Sequence, residues 1–235
     1  MITIRPLLPG DDSATAEICR RTGFAGKDSR PHYRDAELLP DLYLRPLVEA
    51  DPGLAFAAVD TGLDPGPAPG TDGGRPVGYL VATADTAGYA EWFRTVWLPR
   101  VAGRHPLPEH PSGSWDDVMT SVLHDPGSQV IPALAAFPAH LHMNVLPEYQ
   151  RHGLGGRMMA LLLERLRRRD VSGIHAAPSK YSIYSRQFYK RMGFTPLPVP
   201  GHNMVRFVAR EILSENDSGP FPAAEDLASC AMNVT

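Results

Sequence analysis

Cysteine is almost missing from this chain: Cys19 and Cys230 stand far apart, and no CxxC pair occurs. That excludes a disulfide framework and a thiolate set for zinc or redox chemistry, and the expected compartment is a reducing cytoplasm. Long apolar runs are missing as well. No stretch approaches the roughly 18–20 apolar residues of a membrane span. The start, Met1-Ile2-Thr3-Ile4-Arg5-Pro6, has no basic region leading into an apolar one, so no secretory signal is expected there. Charge of one sign is not in excess. At a net −3 there is no bulk field to hold nucleic acid, while a positively charged amine is not repelled.

What is there is a hydrophobic share of 43% in 235 residues, enough for one sizeable core. Residues 2–5 read as a strand, and Asp11, Asp12 and Ser13 offer caps for a helix to about Arg21, stopped near Gly23. Residues 34–49 carry a helical pattern broken at Pro40 and Pro46, giving one or two short helices. Two apolar runs of strand length, 54–59 and 77–84, flank a Gly/Pro/Asp-rich stretch at 61–75, which predicts a hairpin with a long mobile loop. Residues 87–101 put Tyr89, Trp92, Phe93, Val96 and Trp97 on one helical face, and a further helix runs from Ser114, its N-cap, to His124. Then follow a strand at 139–146, a helix at 155–169 with Met159, Leu162, Leu163 and Leu166 on one face, a strand at 173–177, a helix at 182–192 and a strand at 203–210. From Glu215 on the chain is polar. The expectation is one mixed α/β domain over 1–213, with a helical insert at about 87–138 and a flexible tail at 214–235.

The informative block is strand, turn, glycine loop, helix: LHMNVL at 141–146, PEY at 147–149, then Gln150-Arg151-His152-Gly153-Leu154-Gly155-Gly156 and Arg157. Glycines at a helix start let backbone N–H groups crowd around an anion, and the helix terminus adds partial positive charge. A pyrophosphate suits such a loop. It is not a nucleotide P-loop, for no Lys-Ser/Thr pair follows, and it lacks one glycine of a dinucleotide fingerprint. The plainer alternative is a glycine turn that permits tight packing. A second block, Phe188-Tyr189-Lys190-Arg191-Met192-Gly193-Phe194, closes the later helix at Gly193.

Together the two blocks resemble the GNAT superfamily of N-acetyltransferases, whose cofactor signature Gln/Arg-x-x-Gly-x-Gly/Ala is met by Gln150, Gly153 and Gly155, and whose later helix ends in Tyr then Gly-Phe, here Tyr189 and Gly193-Phe194. The segment Phe137-Pro138-Ala139-His140-Leu141-His142, with Trp92 and Trp97, is similar to one subgroup: the acetyltransferase-like domain at the C-terminus of eukaryotic O-GlcNAcases and its free-standing bacterial relatives. The resemblance implies a GNAT acyltransferase fold, a mostly antiparallel sheet of six or seven strands flanked by helices and split by acetyl-CoA.

It also implies roles. The strand at 141–145 splays from that at 173–177, and the pantetheine arm lies in the notch beside Met143, Asn144 and Val145. The amides of Arg151, His152, Gly153, Leu154, Gly155 and Gly156 hold the pyrophosphate, with Gln150 in the motif and Arg157 adding charge. Ser182, Ser185, Phe188 and Tyr189 complete the cofactor contacts, Ser182 standing where the family usually has Asn. Tyr189 matches the general acid that protonates the leaving thiolate; the other reading is an interior aromatic. For a base, His140, His142 and His175 lie on central strands, and Asp85 follows another. Core histidines and a helix cap are the bland readings, and no candidate stands apart. The implied reaction is acetyl transfer to an amine of a small molecule or a peptide lysine. The alternatives are a pseudo-acetyltransferase that keeps acetyl-CoA as a ligand, or an interaction module presenting Trp92, Trp97 and Trp115. Neither nucleic acid nor membrane is expected as a partner.

Overall fold

The fold is described from a computed structural model, which describes residues 1–63, 73–201 and 204–212. In chain order the elements are β1 (Ile2–Pro6), α1 (Asp12–Thr22), α2 (Leu38–Tyr43), α3 (Arg45–Ala50), β2 (Ala55–Asp60), β3 (Arg75–Thr83), α4 (Thr86–Trp92), α5 (Leu98–Val101), α6 (Trp115–His124), β4 (Ala139–Val145), α7 (Leu154–Arg167), β5 (Gly173–Ala176), α8 (Ile183–Arg191), β6 (Thr195–Pro196) and β7 (Val208–Glu211). The centre of the expected hairpin loop and the expected tail lie outside the described residues.

The strands form one seven-stranded sheet in the order β1-β2-β3-β4-β5-β7-β6, in which β4–β5 is the parallel pair and the other neighbours are antiparallel. β2 and β3 lie mid-sheet and are buried on both faces, which is why they read as continuous apolar runs rather than alternating ones. α1 packs across β3 and β4 with Ile18 and Cys19 inward, and α7 packs across β2, β3 and β4. Met159, Leu162, Leu163 and Leu166, the predicted apolar face of α7, are all buried together with Met158.

Two expectations change in detail. Pro40 and Pro46 do not break the second helical region: each sits in the first turn of its own helix, where a missing N–H costs nothing, and the break falls at Leu44 between them. The last strand is shorter than 203–210; it occupies Val208–Glu211, and Val205 makes only a bridge to Ser179.

The insert is pinned through one buried carboxylate. α4 and α5 are joined by a π-helical turn at Phe93–Trp97, which turns Phe93 and Trp97 inward. Trp97 Nε1 donates to the Asp41 carbonyl at 2.8 Å. The Asp41 side chain, fully buried, accepts from Arg45 (2.8 Å), Arg104 (2.7 Å) and His105 Nε2 (2.9 Å). A buried carboxylate is tolerable only when its lone pairs are filled in this way. α6 starts on the predicted cap, with Ser114 Oγ accepting from Asp117 N.

Candidate active site

β4 and β5 run parallel but pair only through Ala139↔Ile174 and His140↔His175. Beyond those rungs β4 continues to Val145 along β3 alone. The burial pattern registers the gap: Ala139 and Leu141 are buried, whereas His142, Met143, Asn144 and Val145, which alternate between both faces, are only half-buried. A central strand would normally be covered on both sides, so this wedge is an open strand edge inside the sheet, suited to an extended ligand arm.

The loop after β4 closes the wide end of the wedge. A 3-10 turn at Pro147–Tyr149 leads to Gln150, whose Nε2 donates to the Val145 carbonyl at 2.9 Å. Arg151 (φ 66°) and Gly153 (φ 75°) take left-handed conformations, and Gly153 is the N-cap of α7 with no side chain to cap it. Among the described residues, no acceptor meets the N–H groups of residues 151–156. Successive free amides at a helix start make a concave anion site, reinforced by the helix dipole. Arg151, His152 and Arg157 are exposed around it. A Cβ on Gly155 would lie 3.2 Å from Phe188 Cε2 and 3.5 Å from Met143 Cε, so the loop, β4 and α8 converge on this glycine.

α8 begins at Ser182, whose Oγ accepts from Ser185 N, and the two hydroxyls lie 2.7 Å apart. Both hydroxyls are thus engaged in starting the helix, a task that the cofactor-contact expectation did not include. Tyr189 is 8% exposed, packed edge-on to Phe188 (5.3 Å) and Phe194 (5.1 Å). Burial pushes its phenol well above the ordinary range, so it stays protonated at neutral pH. Among the described residues nothing bonds its hydroxyl.

The histidines cluster on the opposite face of the sheet from α7. His142 Nδ1 lies 3.1 Å from the Tyr79 hydroxyl and its ring stacks on Tyr43 at 5.2 Å; Asn144 Nδ2 donates to the same hydroxyl at 3.0 Å. His140 Nδ1 lies 2.8 Å from Thr86 Oγ1, and His175 Nδ1 donates to the Phe137 carbonyl at 2.7 Å. Burial pushes His142 down to about 4. Burial, joined by the charges of His175 and His142, pushes His140 down to about 3. His175 is lowered by burial, partly offset by its bond to Phe137. All three are neutral at pH 7. Asp85 accepts from Ala87 N at 3.0 Å and caps α4, so the geometry supports its cap reading rather than its base reading. Sequence reasoning missed Tyr79 and Thr86. Tyr79 sits opposite Asn144 in the ladder, a register no local pattern reveals.

An anion cradle at a helix start, set at the mouth of a wedge between two parallel strands, is an arrangement suited to a long carrier with an anionic end. Residues 130–194 match the family described as the acetyltransferase (GNAT) family. Along 91% of its length the chain is similar to SsHAT, known as a crystal structure, with TM-score 0.81 and 38% identity over 99% of that chain. It is also similar to the Drosophila melanogaster polyamine N-acetyltransferase (TM-score 0.56, 17% identity, 90% of this chain and 100% of that one). A third likeness is to the PaiA N-acetyltransferase of Thermoplasma acidophilum in complex with coenzyme A (TM-score 0.52, 11% identity, 90% and 99%). The last two likenesses are ones of fold. The chain belongs to the GNAT family of acetyltransferases.

Proposed function

We propose that this protein is an acetyl-CoA-dependent N-acetyltransferase acting on an amine of a small molecule or a peptide lysine. The observation that carries the reading is the pairing of the β4–β5 wedge with the free amides of residues 151–156 at its mouth. The residues present fit acetyl-CoA: the amides of Arg151 to Gly156 would hold the pyrophosphate, with Arg157 nearby. The open edge at Met143, Asn144 and Val145 would pair with the pantetheine amides, and Phe188 would wall the slot. Gln150 would keep the loop closed on β4. Bound acetyl-CoA supplies a thioester carbonyl, the carbon that an amine attacks. Tyr189, protonated and free of other bonds among the described residues, supplies the proton for the departing sulfur. The likeness of residues 137–142 to the O-GlcNAcase-associated subgroup belongs to the same reading.

A second reading, a ligand-binding protein without turnover, is favoured by one observation: burial lowers all three histidines beside the wedge from their ordinary value, which weakens each as a base. Release of free thiol from acetyl-CoA, followed over a panel of amines, tests the choice. Amine-dependent release that Tyr189→Phe reduces about 100-fold supports the enzyme. Binding without release over the whole panel supports the ligand-binding reading.

A further inference from the structure

We propose that His140, and not His142, accepts the amine proton, because Thr86 fixes the His140 tautomer with Nε2 bare. This rests on the acetyltransferase reading above. Thr86 Oγ1 has one proton, and at 2.7 Å it donates that proton to the Pro138 carbonyl, which can only accept. The contact between Thr86 Oγ1 and His140 Nδ1 at 2.8 Å therefore has its hydrogen on the ring. A neutral imidazole protonated at Nδ1 carries its lone pair at Nε2. Among the described residues nothing bonds that nitrogen. His140 also stands on the last rung of the β4–β5 ladder, at the apex of the wedge.

His142 is locked the other way. The Tyr79 hydroxyl accepts from Asn144 and has one proton to give. Its acceptors are His142 Nδ1, 3.1 Å away, and the Cys19 thiol, a much weaker acceptor. The proton goes to the ring, so His142 carries its own hydrogen at Nε2 and can donate there but not accept. The two rings share a strand face and have opposite polarity.

The surroundings of His140 also select the amine. The ring faces Thr86 and Tyr89 from α4, His175 from β5 and its strand neighbour His142, and among the described residues no carboxylate lies against it. An alkylammonium, with an ordinary pKa near 10, is unwelcome there and would hold its proton against this ring. A weakly basic amine, neutral at pH 7, enters without that penalty. In the step, the amine nitrogen forms the C–N bond to the acyl carbon and the C–S bond breaks. The amine proton passes to His140 Nε2 and the Tyr189 proton to the sulfur, which leaves as thiol. The imidazolium then returns a proton, through water, to the Tyr189 phenolate.

The test takes the full chain, acetyl-CoA, and two acceptors, 4-methoxyaniline and putrescine. Thiol release gives the kinetics, calorimetry gives acetyl-CoA affinity, and nitrogen NMR of labelled histidine gives the tautomers. The expected result is Nδ1–H for His140 and Nε2–H for His142, with the arylamine favoured over putrescine by about tenfold or more at pH 7. His140→Gln lowers kcat about 100-fold with acetyl-CoA affinity unchanged, and His142→Gln falls much less. Thr86→Val lowers kcat about tenfold without changing KM for the amine, and Thr86→Ser restores it. An Nε2–H tautomer at His140, a His140→Gln variant within about threefold of the parent, an equal loss in His142→Gln, or a preference for putrescine overturns the proposal. Acetyl-CoA binding with neither amine turned over overturns it too and leaves the cofactor site standing. Failure of the parent protein to bind acetyl-CoA sinks the acetyltransferase reading and the proposal with it.

Discussion

Gly155→Ala separates ligand binding from stability. The glycine is the second residue of α7, and its added Cβ would meet Phe188 at 3.2 Å and Met143 at 3.5 Å. Alanine in a helix gains up to about 1 kcal/mol over glycine. Easing the Phe188 ring edge back by a few tenths of an ångström, while Met143 stays in ordinary contact, costs a comparable amount, so unfolding free energy in urea should stay within about 1 kcal/mol of the parent. The added methyl and the shifted ring edge, however, stand beside the wedge and narrow the slot. A loss of about 1–2 kcal/mol in binding is expected, a rise of about 5- to 30-fold in Kd for acetyl-CoA by calorimetry. Gly155→Val, whose branched methyls find no room on that side, should raise Kd further and lower stability by about 1–3 kcal/mol. If the alanine variant is as stable as the parent and binds acetyl-CoA equally well, the convergence at Gly155 does not border the ligand and the reasoning fails.

Other consequences follow from the same geometry. Gly153→Ala meets no neighbour, but its φ of 75° is left-handed, so urea unfolding should show a loss of about 1–2 kcal/mol from backbone strain alone. Asp41→Ala removes the buried acceptor that Arg45, Arg104 and His105 share, though Arg45 keeps Asp12 and Glu37 and His105 keeps Asp35; the loss of this buried network should cost about 2–3 kcal/mol, and a near-neutral effect in urea denaturation would refute the pinning of the insert. The buried histidines make stability depend on pH. Their folded values lie below the ordinary 6.5, so the unfolded chain binds protons first; the stability they contribute is present above pH 6.5 and drains away as pH falls toward 4. For His142, lowered from 6.5 to about 4, that loss is on the order of 3 kcal/mol. Between pH 6.5 and 5, above the main carboxylate range, His142→Gln should flatten the slope of unfolding free energy against pH, and an unchanged slope would contradict the burial argument.

How much of this could be read from residues alone depends on how local each signal is. The glycine loop, its flanking strand and the apolar face of α7 are contiguous, so their period and spacing announce them, and the free amides of residues 151–156 follow from glycines set before a helix. Ser114 as a cap is equally local, because its acceptor bond spans only to Asp117. The Asp41 hub was not legible, since its partners Trp97, Arg104 and His105 stand 56, 63 and 64 residues away. The two short helices allowed for 34–49 are present, but the break falls at Leu44 rather than at Pro40 or Pro46, because a proline that ends one helix and a proline that begins the next look alike in sequence. Three histidines near a candidate site were visible, but not the difference between two of them, which lies in a proton that Thr86, 54 residues from His140, can no longer offer.

Calorimetric titration of the folded protein with acetyl-CoA and CoA tests the central claim most directly. The account predicts saturable one-to-one binding of both, weakened about 5- to 30-fold by Gly155→Ala. A folded sample that takes up neither would contradict it, and would leave the wedge between β4 and β5 without the carrier it has been read to hold.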